Sequence, residues 1–509
     1  MKAKSIEREK SIYTKKYLII FIMNLFIIFL TCNLMLNVHF SPDTYDCWTT
    51  TDNNVDVHLR DGRFITAAIY QILSDLNINI AKNQMIFTLI FMITLAVLVT
   101  ILTNIVERYF EQKDLIKLSI IDTSFLLIFH NGFIAEWYLF PEVMLMYTIS
   151  LTGAVLSSIM FIKVCESNKR FSKLGYGSIS FCSLLISLGT YQVSIGIYVT
   201  LILIFIFLNP DTSVIKKLAN AIWGLIFGAF QCFLNIGIVK VLVYLHIMKP
   251  TYRGANFQIN VIFENIRKII EHQGEIISGH HVLPYFAFAL YGVILLLILI
   301  NNYKEKIKFK TLVLAVLFTG IIYVGSYIPH IVTSDFWLSQ RTLVPIFGAF
   351  SFLAIACAIN CSKKIIVNIL SVTMMSFILL NSIVMENIFS NHLAMDDFDI
   401  SYAKAINTYI LNYSIEHDVN INYLAIGRDS NPTWSYDGIK FVSYDINVKN
   451  ILRSWSNIGL INTANGTDYK SCDIDPLIWN RYFGEKDWDH FCPEEQIIFL
   501  NDTAYVAIY

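Results

Sequence analysis

Over its first 385 residues the chain alternates long apolar runs with short polar loops, and beyond that point the runs shorten. Apolar stretches cover residues 17–38, 84–106, 115–131, 142–161, 218–246, 284–300, 311–329, 342–359 and 365–385. Each approaches the roughly 20 residues that a helix needs to cross a bilayer. One further run, 174–208, is about 35 residues long, too long for a single ordinary span. It is expected to turn back at Gly189-Thr190-Tyr191-Gln192, as two short spans or as a re-entrant hairpin. The total is then 11 crossings, or 9 plus a hairpin. Two segments have a helical apolar face without being apolar throughout. In 64–80 it is formed by Ile65, Ile69, Ile72, Leu73, Leu76 and Ile80; in 261–277 by Ile262, Ile266, Ile269 and Ile270. Both predict helices lying on the membrane surface.

Composition agrees with the pattern. The 509 residues are 55% apolar and 15% charged, where a soluble protein carries about a quarter charged. A polytopic α-helical membrane protein is the expected fold. The opening basic segment and a 22-residue apolar run without a small-residue cleavage site fit a retained first span. Lys and Arg number 21 in the segments this threading puts in the cytoplasm and 17 in the longer segments opposite. The positive-inside rule therefore places the N-terminus in the cytoplasm and, with an odd number of crossings, the C-terminus outside. Residues 388–509 are expected to form a small α/β domain on that outer side, following a membrane domain of residues 1–387. Its strand candidates are YLAIG, IKFVSY, QIIFL and YVAIY, with a helix over 402–412. With 8 Lys/Arg against 17 Asp/Glu it repels nucleic acid and anionic lipid surfaces.

The chemistry concentrates just after the first apolar run, in the outer loop 39–83. Its stretch 41–64, SPDTYDCWTTTDNNVDVHLRDGRF, carries Asp43, Asp46, Asp52, Asp56 and Asp61, then Arg60 and Arg63. Carboxylates beside a span are costly to dehydrate, so they are either solvated or held in a polar cleft. Asp52 and Asp56 read as solvated loop residues. Asp43 and Asp46 are pinned at the span end by Pro42 and separated by Tyr45. Arg341 opens a late span near His330 and Asp335, where a guanidinium needs an anion: a lipid phosphate, or Asp335 itself. Arg63 either cradles a phosphate or snorkels to headgroups. Tyr45, Trp48, Trp137 and Trp337 are candidate platforms for sugar rings. The eleven histidines lack metal-ligand spacing, and no metal or other cofactor is expected. Of nine cysteines, Cys472 and Cys492 are a plausible disulfide in an oxidising compartment.

Four short motifs, SPDTYD, DGRF, GTYQ and SQRTLVP, make the chain resemble the phage-encoded, serotype-converting O-antigen glucosyltransferases. These belong to the wider GT-C class of multi-span transferases that use lipid-phosphate sugars. The resemblance implies a GT-C-like fold in the bacterial inner membrane. It implies undecaprenyl-phosphate glucose as donor and a lipid-linked O-antigen repeat as acceptor, at the periplasmic face. It also implies a catalytic base from the first outer loop, Asp43 or Asp46. Relatives often have two adjacent acids there, whereas here Asp43 is followed by Thr44. Candidate substrate contacts are Tyr45, Asp61, Arg63, Glu136, Arg253, His330 and Arg341, with Lys249 in reserve for the phosphate. A flippase for lipid-linked glycan and an O-antigen polymerase are the rival readings. Transporters more often place charge at mid-membrane, and these spans are almost free of it.

Overall fold

The computed structural model describes residues 2–49, 53–108, 114–210, 212–249, 254–303, 309–361 and 363–509. The chain opens with α1 (Lys2–Cys32) and a single 3-10 turn at Asn33–Leu36. The first polar loop then folds into three short helices, α2 (Pro42–Thr49), α3 (Val55–Arg60) and α4 (Phe64–Asp75). The last is the first amphipathic segment of the sequence. It ends at Asp75, followed by Asn77 in a left-handed conformation (φ 57°).

The bundle continues with α5 (Gln84–Glu107), α6 (Leu115–Phe129), the short α7 (Ala135–Tyr138), α8 (Met144–Glu166), α9 (Arg170–Thr190), α10 (Ser194–Leu208) and α11 (Val214–Tyr244). Beyond lie α12 (Ile259–Glu271) and α13 (Gln273–Ile277), which occupy the second amphipathic segment. Then follow α14 (Ala287–Tyr303), α15 (Phe309–Gly325), α16 (Ile328–Ile331), α17 (Gln340–Leu343) and α18 (Phe347–Asn360). The protein is a polytopic helical membrane protein: among the described residues, seven helical segments are long and apolar enough to cross a bilayer. The run 174–208 does break where expected, into α9 and α10, with Tyr191–Val193 between them. At 15 residues α10 rises only about 22 Å.

Burial sorts the helices into an inner and an outer set. Every residue of α10 is buried, as are the twelve residues Phe347–Ala358 of α18. In contrast α1 and α11 expose Ile19, Ile22, Phe26, Ile222, Ile226 and Phe230, the face a bilayer would cover. Helices α8 and α9 meet along a seam of small residues. Ser150 and Ser187 exchange hydrogen bonds with each other's carbonyls (3.1 and 2.7 Å), and Ser157 and Ser180 do the same (2.9 and 3.0 Å). A Cβ on Gly153 would stand 2.7 Å from the Ser183 carbonyl oxygen, so only glycine permits this approach.

The last span does not stop at the membrane. Helix α19 (Lys364–His417) has 54 residues, about 80 Å at 1.5 Å per residue, and carries the chain directly into the C-terminal region. There β1 (Tyr423–Arg428), α20 (Asn457–Asn465), β2 (Lys470–Ser471), α21 (Pro476–Tyr482), α22 (Pro493–Gln496), β3 (Ile497–Leu500) and β4 (Thr503–Ile508) follow. The sheet order is β2-β1-β4-β3, with β1 parallel to β2 and β4, and β3 antiparallel to β4.

Two expectations fail here. IKFVSY is not a strand: Phe441 and Tyr444 have positive φ, as does Asn447 just beyond it, so the segment coils into a loop with an isolated bridge between Ser443 and Ile446. Cys472 and Cys492 are free thiols. Cys472 follows edge strand β2, while Cys492 precedes α22 and the opposite edge strand β3. Three inter-strand spacings separate those edges by roughly 14 Å, whereas a disulfide needs Cα atoms within about 7 Å.

Candidate active site

The four sequence motifs converge on one end of the bundle. Gly62 of DGRF adopts φ +73° where the backbone passes α11, and a Cβ there would stand 3.4 Å from Val239. That left-handed turn suits glycine and ends α3 so that Arg63 and Phe64 face the GTYQ turn. Phe64 and Ile65 fill the space over Gly189, whose Cβ would come within 2.8 and 2.7 Å of them. Thr66 Oγ1 donates to the Thr190 carbonyl (3.1 Å), and the Gln192 amide reaches the carbonyls of Asp61 and Gly62 (both 3.4 Å). The Arg63 guanidinium lies over the Tyr191 ring, 5.4 Å from its centroid, and pairs with Asp61 at 3.1 Å. Its Nε is buried and has no hydrogen-bond partner.

The SQRTLVP segment supplies Arg341 in α17. Its Nη1 stands 3.4 Å from Glu136 Oε1 and its Nη2 3.1 Å from Asp445 Oδ2. Its backbone amide donates to Glu136 Oε2 (2.7 Å), and its carbonyl accepts from Trp137 Nε1 (2.8 Å). The guanidinium also stacks over Phe140, 4.6 Å from the ring centroid. The anions that sequence left open, Asp335 or a lipid phosphate, are thus preceded by two protein carboxylates, one of them from the C-terminal region.

Asp43 opens α2 and is partly buried. The Trp455 indole N–H, again from the C-terminal region, donates to its Oδ1 (3.0 Å). Burial raises the Asp43 pKa above the ordinary carboxylate value; Arg341 and the Trp455 hydrogen bond oppose the rise, and the charges of Asp445 and Asp61 add to it. Thr44 and Ser41 fix the helix start by donating to Glu142 at 2.7 and 3.2 Å. Glu136, wholly buried, has its pKa raised to about 7, by burial first and with Arg341 opposing. His330 is buried, and desolvation lowers it to about 4, so its imidazole is neutral at physiological pH.

Asp61, Arg63, His330 and Arg341 line one cavity of about 470 Å³, together with Asp335 and Trp337. Helix α11 contributes the apolar Ile236, Val239 and Val243 to its lining, with Asn235 and Lys240 beside them. One compartment therefore offers two guanidinium groups together with apolar side chains of α11.

The profile of the family Glucosyl transferase GtrII matches residues 32–358. The chain belongs to the GtrII glucosyl transferase family. All four motifs lie inside the matched stretch, while Asp445, Arg453 and Trp455 lie beyond it. No curated protein and no solved structure matches the chain.

Not every candidate residue of this family member is brought to the cavity. Tyr45 is fully buried, stacked on Phe40 at 4.6 Å and packed in the cluster that joins α2, α19 and α20. Its backbone abuts Gly459 of α20, where a Cβ would stand 3.3 Å away. Trp137 is likewise interior, stacked on Tyr147, and Trp48 packs edge-on against Phe40. Asp46 lies on the exposed side of α2. Lys249, with Arg60 and Asp56, lines a different cavity. Arg253 and Asp52 fall outside the described residues. Sequence reading missed Glu142, seen only as the first residue of a span, and Asp445, Arg453 and Trp455, hidden in an acidic region. Arg453 Nη2 pairs with Asp445 Oδ1 at 3.0 Å, linking that region to Arg341. The one available signal was the alternation of Arg453 with Trp455 among otherwise scattered tryptophans.

Proposed function

We propose that the protein transfers a glucosyl group from undecaprenyl-phosphate glucose to a sugar of a lipid-linked O-antigen repeat, at the periplasmic face of the bacterial inner membrane. The observation that carries this reading is the cavity described above, which brings two arginines together with the apolar Ile236, Val239 and Val243 of α11, while a carboxylate, Asp43, stands outside its lining but within the field of Arg341. A polyprenyl phosphate has those two halves: an anion to be paired and a chain to be kept out of water.

In the reaction an acceptor hydroxyl attacks C1 of the glucosyl group and the bond from C1 to the phosphate oxygen breaks. The hydroxyl proton must leave, and negative charge grows on the departing lipid phosphate. Asp43 accepts the proton; a carboxylate whose pKa is raised is a stronger base for the task. Asp46 lies on the exposed side of α2. Arg63 and Arg341 stabilise the leaving phosphate. Arg341 is already shared between Glu136 and Asp445, so an incoming phosphate competes with them. A proton taken up by Glu136, whose pKa is about 7, releases part of Arg341 for the donor.

Comparing surface glycan from cells with and without the gene tests the reading. A glucosyl branch added to each repeat is expected. Repeats of unchanged structure in chains of altered length point to polymerisation and overturn it.

A further inference from the structure

A second cavity, of about 550 Å³, lies in the C-terminal region, away from the one that α11 lines. It sits at the carboxyl ends of the parallel strands β1 and β4, where Arg428 and Ile508 end the strands and Asp429 follows. Ligands of open sheets with parallel strands bind at that end. One wall is the Trp479 ring, laid so close on Gly427 that a Cβ there would stand 2.4 Å from it. Another wall is Trp434, which is 41% exposed. The lining also includes Asp429, held by the amides of Asn431 and Trp488 (both 3.2 Å), with Ser454 and Asn457. Indole rings and a few polar groups lining one cavity match a sugar ring, which has an apolar face and a rim of hydroxyls. The wall carries one arginine and one aspartate, a balance that suits a neutral sugar better than a phosphate.

The cavity is joined to Asp43 by a run of alternating rings and guanidinium groups. Arg428 lies over Trp434 (5.3 Å), and Arg453 lies over both Trp434 (5.5 Å) and Trp455 (5.6 Å). Trp455 in turn donates to Asp43. We propose that this cavity binds a neighbouring sugar of the acceptor glycan. The acceptor is then held at two places: its attacked hydroxyl at Asp43, and a second residue in the cavity lined by Trp434 and Trp479. The assignment rests on the transferase reading above and names the region that recognises the acceptor.

The test uses the full chain in lipid nanodiscs, with an oligosaccharide of two or more repeats released by mild acid from the O-antigen of the host strain. Tryptophan fluorescence and calorimetry read its binding, and transfer kinetics read KM for donor and acceptor separately. Trp434→Ala is expected to weaken oligosaccharide binding and raise the acceptor KM by roughly three- to tenfold. Donor KM and kcat at saturating acceptor stay as in the parent, and Trp434→Phe restores most of the affinity. Ser454→Tyr, which fills the cavity from an exposed position, gives the same loss without removing a packed ring. Asp43→Asn still binds the oligosaccharide through the second site, while transfer falls by about 10²–10⁴-fold. If Trp434→Ala and Ser454→Tyr keep parental affinity and acceptor KM while Asp43→Asn is inactive, the second sugar site is wrong and the catalytic reading stands. If both weaken binding while Asp43→Asn transfers normally, the sugar site stands and the catalytic reading is wrong.

Discussion

Asp43 and Asp46 are three residues apart on one short helix, yet their surroundings differ. Asp43 is partly buried and meets Trp455 and the field of Arg341, whereas Asp46 is exposed. Sequence placed both at the end of the first span but offered no choice between them. The choice depends on how α2 is rotated, which Tyr45 and Gly459 set from 414 residues apart in the chain. Asp46→Asn is accordingly expected to retain transfer within about threefold, since exposed substitutions rarely matter; steady-state kinetics in liposomes read this directly. Glu136 carries a second prediction. Ionised, it competes with donor phosphate for Arg341; protonated, it does not. Donor KM should therefore rise as pH increases through about 7, by up to roughly tenfold per unit above it. In Glu136→Gln, with no proton to lose, that rise should be absent. An identical pH profile in the variant would separate Glu136 from donor binding. Tyr45, expected at the substrate, instead fills the core beneath it. Aromatic residues beside a site look alike in sequence whether they face substrate or hold its support.

At the scale of elements, hydropathy located the helices well. The turn inside 174–208 fell at the Gly189–Gln192 quartet, and both amphipathic stretches are helical. What remained hidden was partnership. DGRF and GTYQ are more than 120 residues apart, and nothing local in either says that Phe64 rests on Gly189. The serine seam between α8 and α9 was visible as small residues in two spans, but only the structure pairs them. Gly189→Val should drive a side chain into Phe64 and Ile65, at a cost of about 1–3 kcal/mol. It should displace Arg63 from Tyr191 and raise donor KM, while Phe64→Leu in the same chain recovers part of the loss. A double-mutant cycle on donor KM measures the coupling; strict additivity would mean the two motifs do not support each other. IKFVSY misled because it is rich in the β-branched and aromatic residues that favour strands. Three left-handed residues turn it instead into the loop that delivers Asp445 to Arg341.

The molecule as a whole is bound together across the junction between membrane bundle and C-terminal region. Helix α19 passes through it without a break, and its Asp396 accepts from the Phe40 amide (2.7 Å). Asn450 donates to the Phe40 carbonyl (3.2 Å), so the segment leading into α2 is clamped from both sides. Sequence composition marked the change near residue 388 but not this dependence, because acidic residues that solvate a surface and those that clamp a backbone are the same letters. Nor did it tell inner helices from outer ones: α10 is apolar because protein surrounds it, α1 because lipid does. Ending the chain after residue 387 should leave the spans inserted but abolish transfer, since Asp445, Arg453 and Trp455 go with it. Immunoblots of membranes alongside the transfer assay would check both halves. A single cysteine in place of the exposed Asp46 should react with an impermeant maleimide added to spheroplasts, the outcome required if α2 faces the periplasm.

The base itself is the heart of the account. Purified protein in liposomes, given undecaprenyl-phosphate glucose and a lipid-linked O-antigen repeat, reports transfer by radiolabelled product. Asp43→Asn should insert and melt like the parent while kcat falls by about 10²–10⁴-fold, the usual worth of a positioned general base. Parental kcat in a correctly inserted Asp43→Asn protein would contradict the mechanism.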